Sequence, residues 1–272
     1  MNVVVNGESI FVGQGGTNWK ADQPTLLLQH GAGMDRTVWV LLARYLARHG
    51  YNVVTADLPE HGASKGTAPT SIEAMAEFLW ELIDTLRSKH ELPDTPIIFG
   101  GHSMGALIAL EAAARRAQEV DQLILLGTGY PMPVGKPLLD AAEANSQMAV
   151  DIIASFGHAY ASQLGHNPVA GISVMNSAKA LLERAAPGVL HNDLKACNDY
   201  TGAEAAADKL SGKRCAVVTG KADRMTPNKA AKNLGKLVEA HIIELDDCGH
   251  MLLSEQPEAT LQAVLACLDQ SK

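Results

Sequence analysis

One segment constrains this chain more than any other. Pro96-Ile97-Ile98-Phe99 gives way to Gly100-Gly101-His102-Ser103-Met104-Gly105, and that in turn to Ala106-Leu107-Ile108-Ala109-Leu110-Glu111-Ala112-Ala113-Ala114. The first piece is short and apolar, the pattern of a strand buried on both faces. The last is a run of strong helix formers. The chain must therefore change from strand to helix within one sharp turn. Glycines suit such a turn, where side chains would collide and the backbone is strained.

The same rhythm runs through most of the sequence. Buried-strand patterns occupy 24–29, 52–56, 95–99, 122–126, 215–218 and 241–245. The runs 3–5 and 9–12 flank Asn6-Gly7, the signature of an antiparallel hairpin. Between strands, Ile72, Met75, Leu79, Leu82, Ile83 and Leu86 recur at helical spacing. Thr70 and Glu73 form a Thr-x-x-Glu capping box before that helix. Thr226-Pro227 opens another, a capping residue followed by proline at the first helical position. The rhythm stops after Gly127. Pro131, Pro133 and Pro137 introduce Ala-rich helical pieces, and no strand pattern returns until Cys215. The expectation is an α/β fold, a mostly parallel central sheet with helices on both faces. Residues 1–130 and 208–272 would form its core domain, and 131–207 a helical insert.

Charge and composition narrow the functions. Asp and Glu total 30 against 22 Lys and Arg, a net charge of −8, and no basic run stands out. Nucleic acid is a poor partner for such a chain. No run of 18 apolar residues offers a membrane span, and the N-terminus lacks a charged segment followed by a long apolar one. A cytoplasmic protein is the expectation. Cys197, Cys215, Cys248 and Cys267 fit no zinc spacing and contain no C-x-x-C pair, so they read as buried free thiols. No metal site is expected.

The chemistry lies in G-x-S-x-G, which occurs twice: Gly62-Ala63-Ser64-Lys65-Gly66 and Gly101-His102-Ser103-Met104-Gly105. The motif works only where a buried strand turns into a helix. Ser103 has that context, whereas Ser64 sits in a loop. A serine hydroxyl needs a base to take its proton and a carboxylate to orient that base. Five histidines follow Ser103. His158, His166 and His191 fall in the insert, and His241 begins a strand. His250 lies in the loop after the last strand. Asp223 lies just past the strand 215–218. Asp246 and Asp247 are rivals in a turn beside His250, and Asp121 precedes its strand, at the wrong end of the sheet.

On these residues the chain resembles the α/β-hydrolase family, as a serine esterase- or lipase-like member, over nearly its whole length. His30-Gly31-Ala32-Gly33 is similar to the family's oxyanion-loop motif. Asp57-Leu58-Pro59-Glu60-His61-Gly62-Ala63-Ser64 is similar to its D-x-P-G-H-G-x-S loop, which makes Ser64 part of a structural turn; Glu60 stands where the family usually has Gly. The segment after His250 matches the family's catalytic-histidine segment. The resemblance implies a triad of Ser103, Asp223 and His250 in the fold's chain order. It implies an oxyanion hole from the backbone N–H groups of Ala32 and Met104. It makes the insert a cap over the site.

The substrate-pocket candidates are His30, Gly31, His102, Met132 and Met251, with Met104, Met148 and Met175 as further apolar wall residues. His30 and His102 also read as hydrogen-bonded core histidines. Aromatic residues are only 4% of the chain, which argues against an aromatic-stacking site. The activity implied is hydrolysis of a small-molecule carboxylic ester through an acyl-enzyme, with no cofactor. A serine nucleophile speaks against dehalogenase and epoxide-hydrolase chemistry, which uses Asp at the elbow, and against dienelactone hydrolases, which use Cys. Carbon–carbon hydrolysis of a vinylogous diketone, perhydrolysis, and a ligand receptor that kept its triad stay open. The apolar face of the insert leaves a homodimer open as well.

Overall fold

A computed structural model describes residues 1–89, 91–166, 168 and 170–269. The strands are β1 (Asn2–Val5), β2 (Glu8–Gly13), β3 (Thr25–Gln29), β4 (Asn52–Ala56), β5 (Ile97–His102), β6 (Val120–Leu126), β7 (Arg214–Gly220) and β8 (His241–Leu245). They form one sheet in the order β1-β2-β4-β3-β5-β6-β7-β8. β1 pairs antiparallel with β2, and β2 with β4; every later pairing is parallel. Asn6 and Gly7 both take positive φ, 50° and 85°, as a tight hairpin turn requires.

The helices of the core are α1 (Val40–Arg48), α2 (Ile72–Ser88) and α3 (Met104–Arg115). Among the described residues, six helices separate β6 from β7: α4 (Lys136–Glu143), α5 (Gln147–Gly157), α6 (Tyr160–Gln163), α7 (Val174–Leu182), α8 (Val189–Asp199) and α9 (Ala203–Asp208). After β7 come α10 (Asn228–Leu237), α11 (Leu252–Glu255) and α12 (Pro257–Asp269). Among the described residues, no strand lies between β6 and β7. No helix among them is long and apolar enough to cross a membrane.

The pleat divides the strand side chains between two cores. Leu27, Val54, Phe99, Leu123, Leu125 and Val217 pack with α2, α3 and α10 on one face. Their neighbours Leu26, Leu28, Val53, Ile98, Ile124 and Val218 pack with α1 and α12 on the other. Alternate residues serve opposite faces, so strands covered on both sides are apolar throughout. A third cluster joins Leu138, Val150, Ile153, Leu182 and Leu194 of the insert to Met34 and Met251, which follow β3 and β8. The insert is therefore anchored on the loops at the C-terminal edge of the sheet, where open α/β sheets place their sites.

Two helix starts differ from the sequence expectation. The cap of α2 is Ser71, not Thr70: Ser71 is extended at φ −143°, ψ 157°, and its hydroxyl accepts from the Ala74 N–H. That frame makes Ile72 the first helical residue and buries it with Met75 and Leu79. At α10 the N-cap is Pro227 itself. Thr226 does not cap the helix, because its hydroxyl is engaged elsewhere.

Candidate active site

β5 ends at His102 and α3 begins at Met104, so Ser103 alone makes the turn between them. Its φ of 55° and ψ of −120° lie where non-glycine residues seldom go, and such strain persists only where the surroundings enforce it. The Ser103 N–H donates to the Leu126 carbonyl at 2.9 Å, and the Ser103 carbonyl accepts from Ala106 N–H at 3.0 Å. Helix and sheet approach so closely that a Cβ on Gly105 would lie 2.2 Å from the Gln29 carbonyl oxygen. The N–H of Met104 opens the helix and has no acceptor within it.

β8 delivers the histidine. The N–H groups of His250 and Met251 both donate to the Gly157 carbonyl at the end of α5, at 2.8 and 3.0 Å. The buried Glu255 carboxylate accepts from Gly249 N–H at 3.0 Å and from Ala159 N–H at 2.8 Å. The histidine loop is thus fastened to the insert. His102 adds a third tie: its Nε2 lies 2.8 Å from the His250 carbonyl, and the two rings are 4.9 Å apart. Burial first, then the neighbouring His250, lowers the pKa of His102 to about 3, so it donates as a neutral ring.

β7 leads into the turn that carries Asp223. His250 Nδ1 lies 2.9 Å from Asp223 Oδ2. The other oxygen, Oδ1, accepts from the N–H groups of Met225 and Thr226, each at 2.8 Å. Burial of Asp223 opposes its charge. The His250 ring and the hydrogen bonds from His250 and Thr226 outweigh that opposition and hold the carboxyl below its ordinary range. Asp246 is instead an exposed partner of Lys221, and Asp121 pairs with Arg214.

Ala32, Ser103 and His250 line one cavity of about 400 Å³, walled also by Met132, Leu138 and Ile152. A second apolar cavity of about 460 Å³ begins one residue away from the first, at His102 and Met251, and reaches Leu181 and the exposed Ile172. Neither cavity is lined by His30 or Gly31. His30 is fully buried and accepts from the Leu58 N–H at 3.2 Å through Nε2, while its Nδ1 faces the Gly31 carbonyl at 2.9 Å. Burial and the nearby His61 lower its pKa to about 4. Met104 is buried in the core, Met148 is 59% exposed, and Met175 is half-buried on α7.

Ser64 is a buried loop residue: its hydroxyl donates to the Asp57 carbonyl at 2.8 Å and accepts from Phe11 N–H at 2.9 Å. Glu60 stands at φ 67°, so it adopts the left-handed conformation that a glycine takes without cost. All four cysteines are buried and free. Sequence reasoning missed Thr226, Glu255 and the Gly157 carbonyl. Thr226 lies three residues after Asp223, but its place before Pro227 reads as a helix cap.

Comparison with known proteins shows the family and the fold. The sequence model of the alpha/beta hydrolase family matches residues 26–263. The pimeloyl-[acyl-carrier protein] methyl ester esterase of Aromatoleum aromaticum is 31% identical over 256 residues, covering 87% of this chain and 95% of that one. Among solved structures, the enol-lactonase from Burkholderia xenovorans LB400 superimposes with a TM-score of 0.82 at 20% identity, covering 99% and 100% of the two chains. The esterase from Thermogutta terrifontis gives 0.80 at 20% identity, over 99% and 98%. At that identity both likenesses speak to the fold alone.

Proposed function

This chain belongs to the alpha/beta hydrolase family, and we propose that within it the protein is a serine-dependent hydrolase of a carboxylic ester. The observation that carries this reading is a strained Ser103 sharing a cavity with His250, whose Nδ1 is 2.9 Å from a buried Asp223. Ser103 Oγ attacks the ester carbonyl carbon while His250 Nε2 takes the hydroxyl proton. Asp223 holds the resulting imidazolium. The carbonyl oxygen becomes an oxyanion and is met by the N–H groups of Ala32 and Met104. Loss of one such donor costs roughly 10²–10³ in rate. His250 then gives its proton to the departing alkoxide, leaving an acyl-enzyme. A water molecule repeats the sequence in reverse roles and releases the acid.

The insert, residues 131–207, acts as the cap over a core of residues 1–130 and 208–272. Its α5 and α8 place Ile152 and Leu194 in the wall of the reaction cavity, which favours an apolar acyl group of small to medium length. The 31% identical relative, a methyl ester esterase, supports ester chemistry.

Initial rates on p-nitrophenyl acetate, butyrate, octanoate and laurate test the reading, with Ser103→Ala as control. Turnover by the wild type and a fall of at least about 10⁴ in the variant are expected, as for other triad knockouts. Equal rates in the two proteins would remove Ser103 from the mechanism.

A further inference from the structure

His61 immediately precedes the first G-x-S-x-G motif, in the loop between β4 and α2, and the triad leaves it unused. It is buried, and both of its ring nitrogens face oxygen atoms. Nε2 lies 2.8 Å from Asp193 Oδ2, and Nδ1 lies 2.9 Å from the Pro59 carbonyl. The Pro59 carbonyl can only accept, so Nδ1 donates; with Asp193 as a carboxylate Nε2 donates as well, and the ring is then an imidazolium. Burial works against that charge, but Asp193, the Pro59 carbonyl and Asp57 together raise the pKa above its ordinary value.

Asp193 is the more telling partner. It sits on α8 of the insert and is fully buried. The oxygen that meets His61 also accepts the Gly33 N–H, at 2.8 Å. Gly33 directly follows Ala32, the residue whose N–H is assigned to the oxyanion. The surroundings of Gly33 are shaped for this contact. Its φ is +65°, and a Cβ there would stand 2.7 Å from Leu190 Cδ1, also on α8. Next to Asp193, Asn192 donates to the Pro69 carbonyl at 2.9 Å, fastening the same helix to the loop that carries His61. One turn of the insert thus grips two core loops at once.

We propose that Asp193 is a positioning residue for the oxyanion loop: with the His61 imidazolium as counter-ion, it fixes the Gly33 peptide and so aims the adjacent Ala32 N–H at the point where an oxyanion forms. The proposal rests on the ester-hydrolase reading for the identity of that N–H. A carboxylate serves better than a neutral amide, because a charged acceptor makes a stronger bond to a backbone N–H. A lone imidazolium or carboxylate would be costly at this depth, so each needs the other. The arrangement ties catalytic competence to the seating of the insert: if α8 lifts, the carboxylate leaves the oxyanion loop with it. Simple packing of the insert would not require the acceptor to be shared with Gly33.

The test compares wild type with Asp193→Asn, and with His61→Gln in case the first variant does not fold. Each is assayed for kcat and KM on the best p-nitrophenyl ester. Each is also titrated with a trifluoromethyl ketone of matching chain, which adds Ser103 to form a tetrahedral oxyanion, and with the acid product, which does not. Amide hydrogen exchange is followed over residues 30–35. In Asp193→Asn, kcat should fall by about 10²-fold with KM little changed, the size expected when a reacting geometry is misplaced by an ångström. Affinity for the ketone should fall in parallel, affinity for the acid should hold, and exchange at Gly33 should quicken. Equal weakening of ketone and acid, or unchanged kcat and exchange, overturns the proposal. A wild type that hydrolyses no ester removes the reaction reading instead. In that case quickened exchange at Gly33 still supports the Asp193 anchor, and unchanged exchange rejects it.

Discussion

The hydroxyl of Thr226 stands 2.7 Å from Asp223 Oδ2, and that hydroxyl oxygen, Thr226 Oγ1, lies 3.1 Å from His250 Nδ1. Thr226 therefore donates to the acid and shares in receiving the imidazole proton, closing a triangle behind the triad. In Thr226→Val the carboxylate loses a charge-assisted hydrogen bond, a loss of about 1.5–3 kcal/mol. The N–H groups on Asp223 Oδ1 remain, so its orientation is weakened rather than lost. We expect kcat/KM on a p-nitrophenyl ester to fall about tenfold, a loss of ~1.4 kcal/mol in the transition state, with Thr226→Ser restoring most of it. A Val variant with wild-type rates would make Thr226 a packing residue only.

The elbow leaves no room for a methyl group. A Cβ on Gly105 would meet the backbone oxygens of Gln29 and His30 at 2.2 and 2.5 Å, and backbone cannot swing aside as a side chain does. Gly105→Ala should therefore cost at least about 3 kcal/mol, beyond the usual range for core overpacking. Urea unfolding measures it. A midpoint within error of the wild type would mean that α3 can shift away from β3.

Acid should weaken the fold through histidines rather than carboxylates. Burial holds His30 at about 4 and His102 at about 3, and also lowers His158. Unfolded, each titrates near 6.5. Between pH 6.5 and 4 the unfolded chain binds protons that the native state refuses, so stability falls as pH falls. Each such histidine contributes up to about 1.4 kcal/mol per pH unit. His61 and Asp223 act outside this window. The raised pKa of His61 gives a contribution that is full below about 6.5 and fades as pH rises through its folded value. The lowered pKa of Asp223 gives one that is full above about 3.9 and fades as pH falls through its folded value. Urea denaturation at pH 7, 6 and 5 should show the free energy dropping at each step. A flat profile would mean that these rings are already charged in the native state.

How much of this was legible in the sequence depends on the range of the interaction. The strands at 24–29, 52–56 and 122–126 are plain because each buries side chains on both faces, and 241–245 shows through Ile242 and Ile243; 52–56 and 241–245 have the observed bounds, while β3 starts one residue later and β6 two residues earlier. β5 runs on through Gly100 and Gly101 to His102, because residues without side chains can continue a strand pressed against a helix. The order of Ser103, Asp223 and His250 along the chain, read through the family resemblance, picks out a His250 that meets Asp223 at 2.9 Å and lines one cavity with Ser103. The neighbouring details were hidden. Thr226 before Pro227 has the local pattern of a helix cap, and only the fold shows that its hydroxyl has a better partner in Asp223. His61 and Asp193 are 132 residues apart and belong to no shared motif, so nothing local could pair them. Glu60 at positive φ is the reverse case: the glycine that the resembled family usually has there suits this backbone, and the Glu60 side chain accepts from Ala68 N–H at 3.1 Å.

The reaction cavity makes a claim about substrate size that one side chain can decide. Ile152 is half-buried on α5 and lines the same cavity as Ser103, a space of about 400 Å³. Its hydrocarbon side chain takes no part in the hydrogen bonds that hold Asp223 and the histidine loop, so enlarging it should narrow the cavity without disturbing the chemistry. In Ile152→Trp, kcat/KM for p-nitrophenyl octanoate should fall at least tenfold against that for the acetate, since one methylene in an apolar pocket is worth about 1–3 kcal/mol. The acetate rate should stay near the wild type. Ala178→Trp, which fills the second cavity beside Met34 and Met251, is the matched control. If Ala178→Trp reverses the chain preference and Ile152→Trp does not, the acyl group lies in the second cavity, and the alcohol takes the one lined by Ser103 and His250.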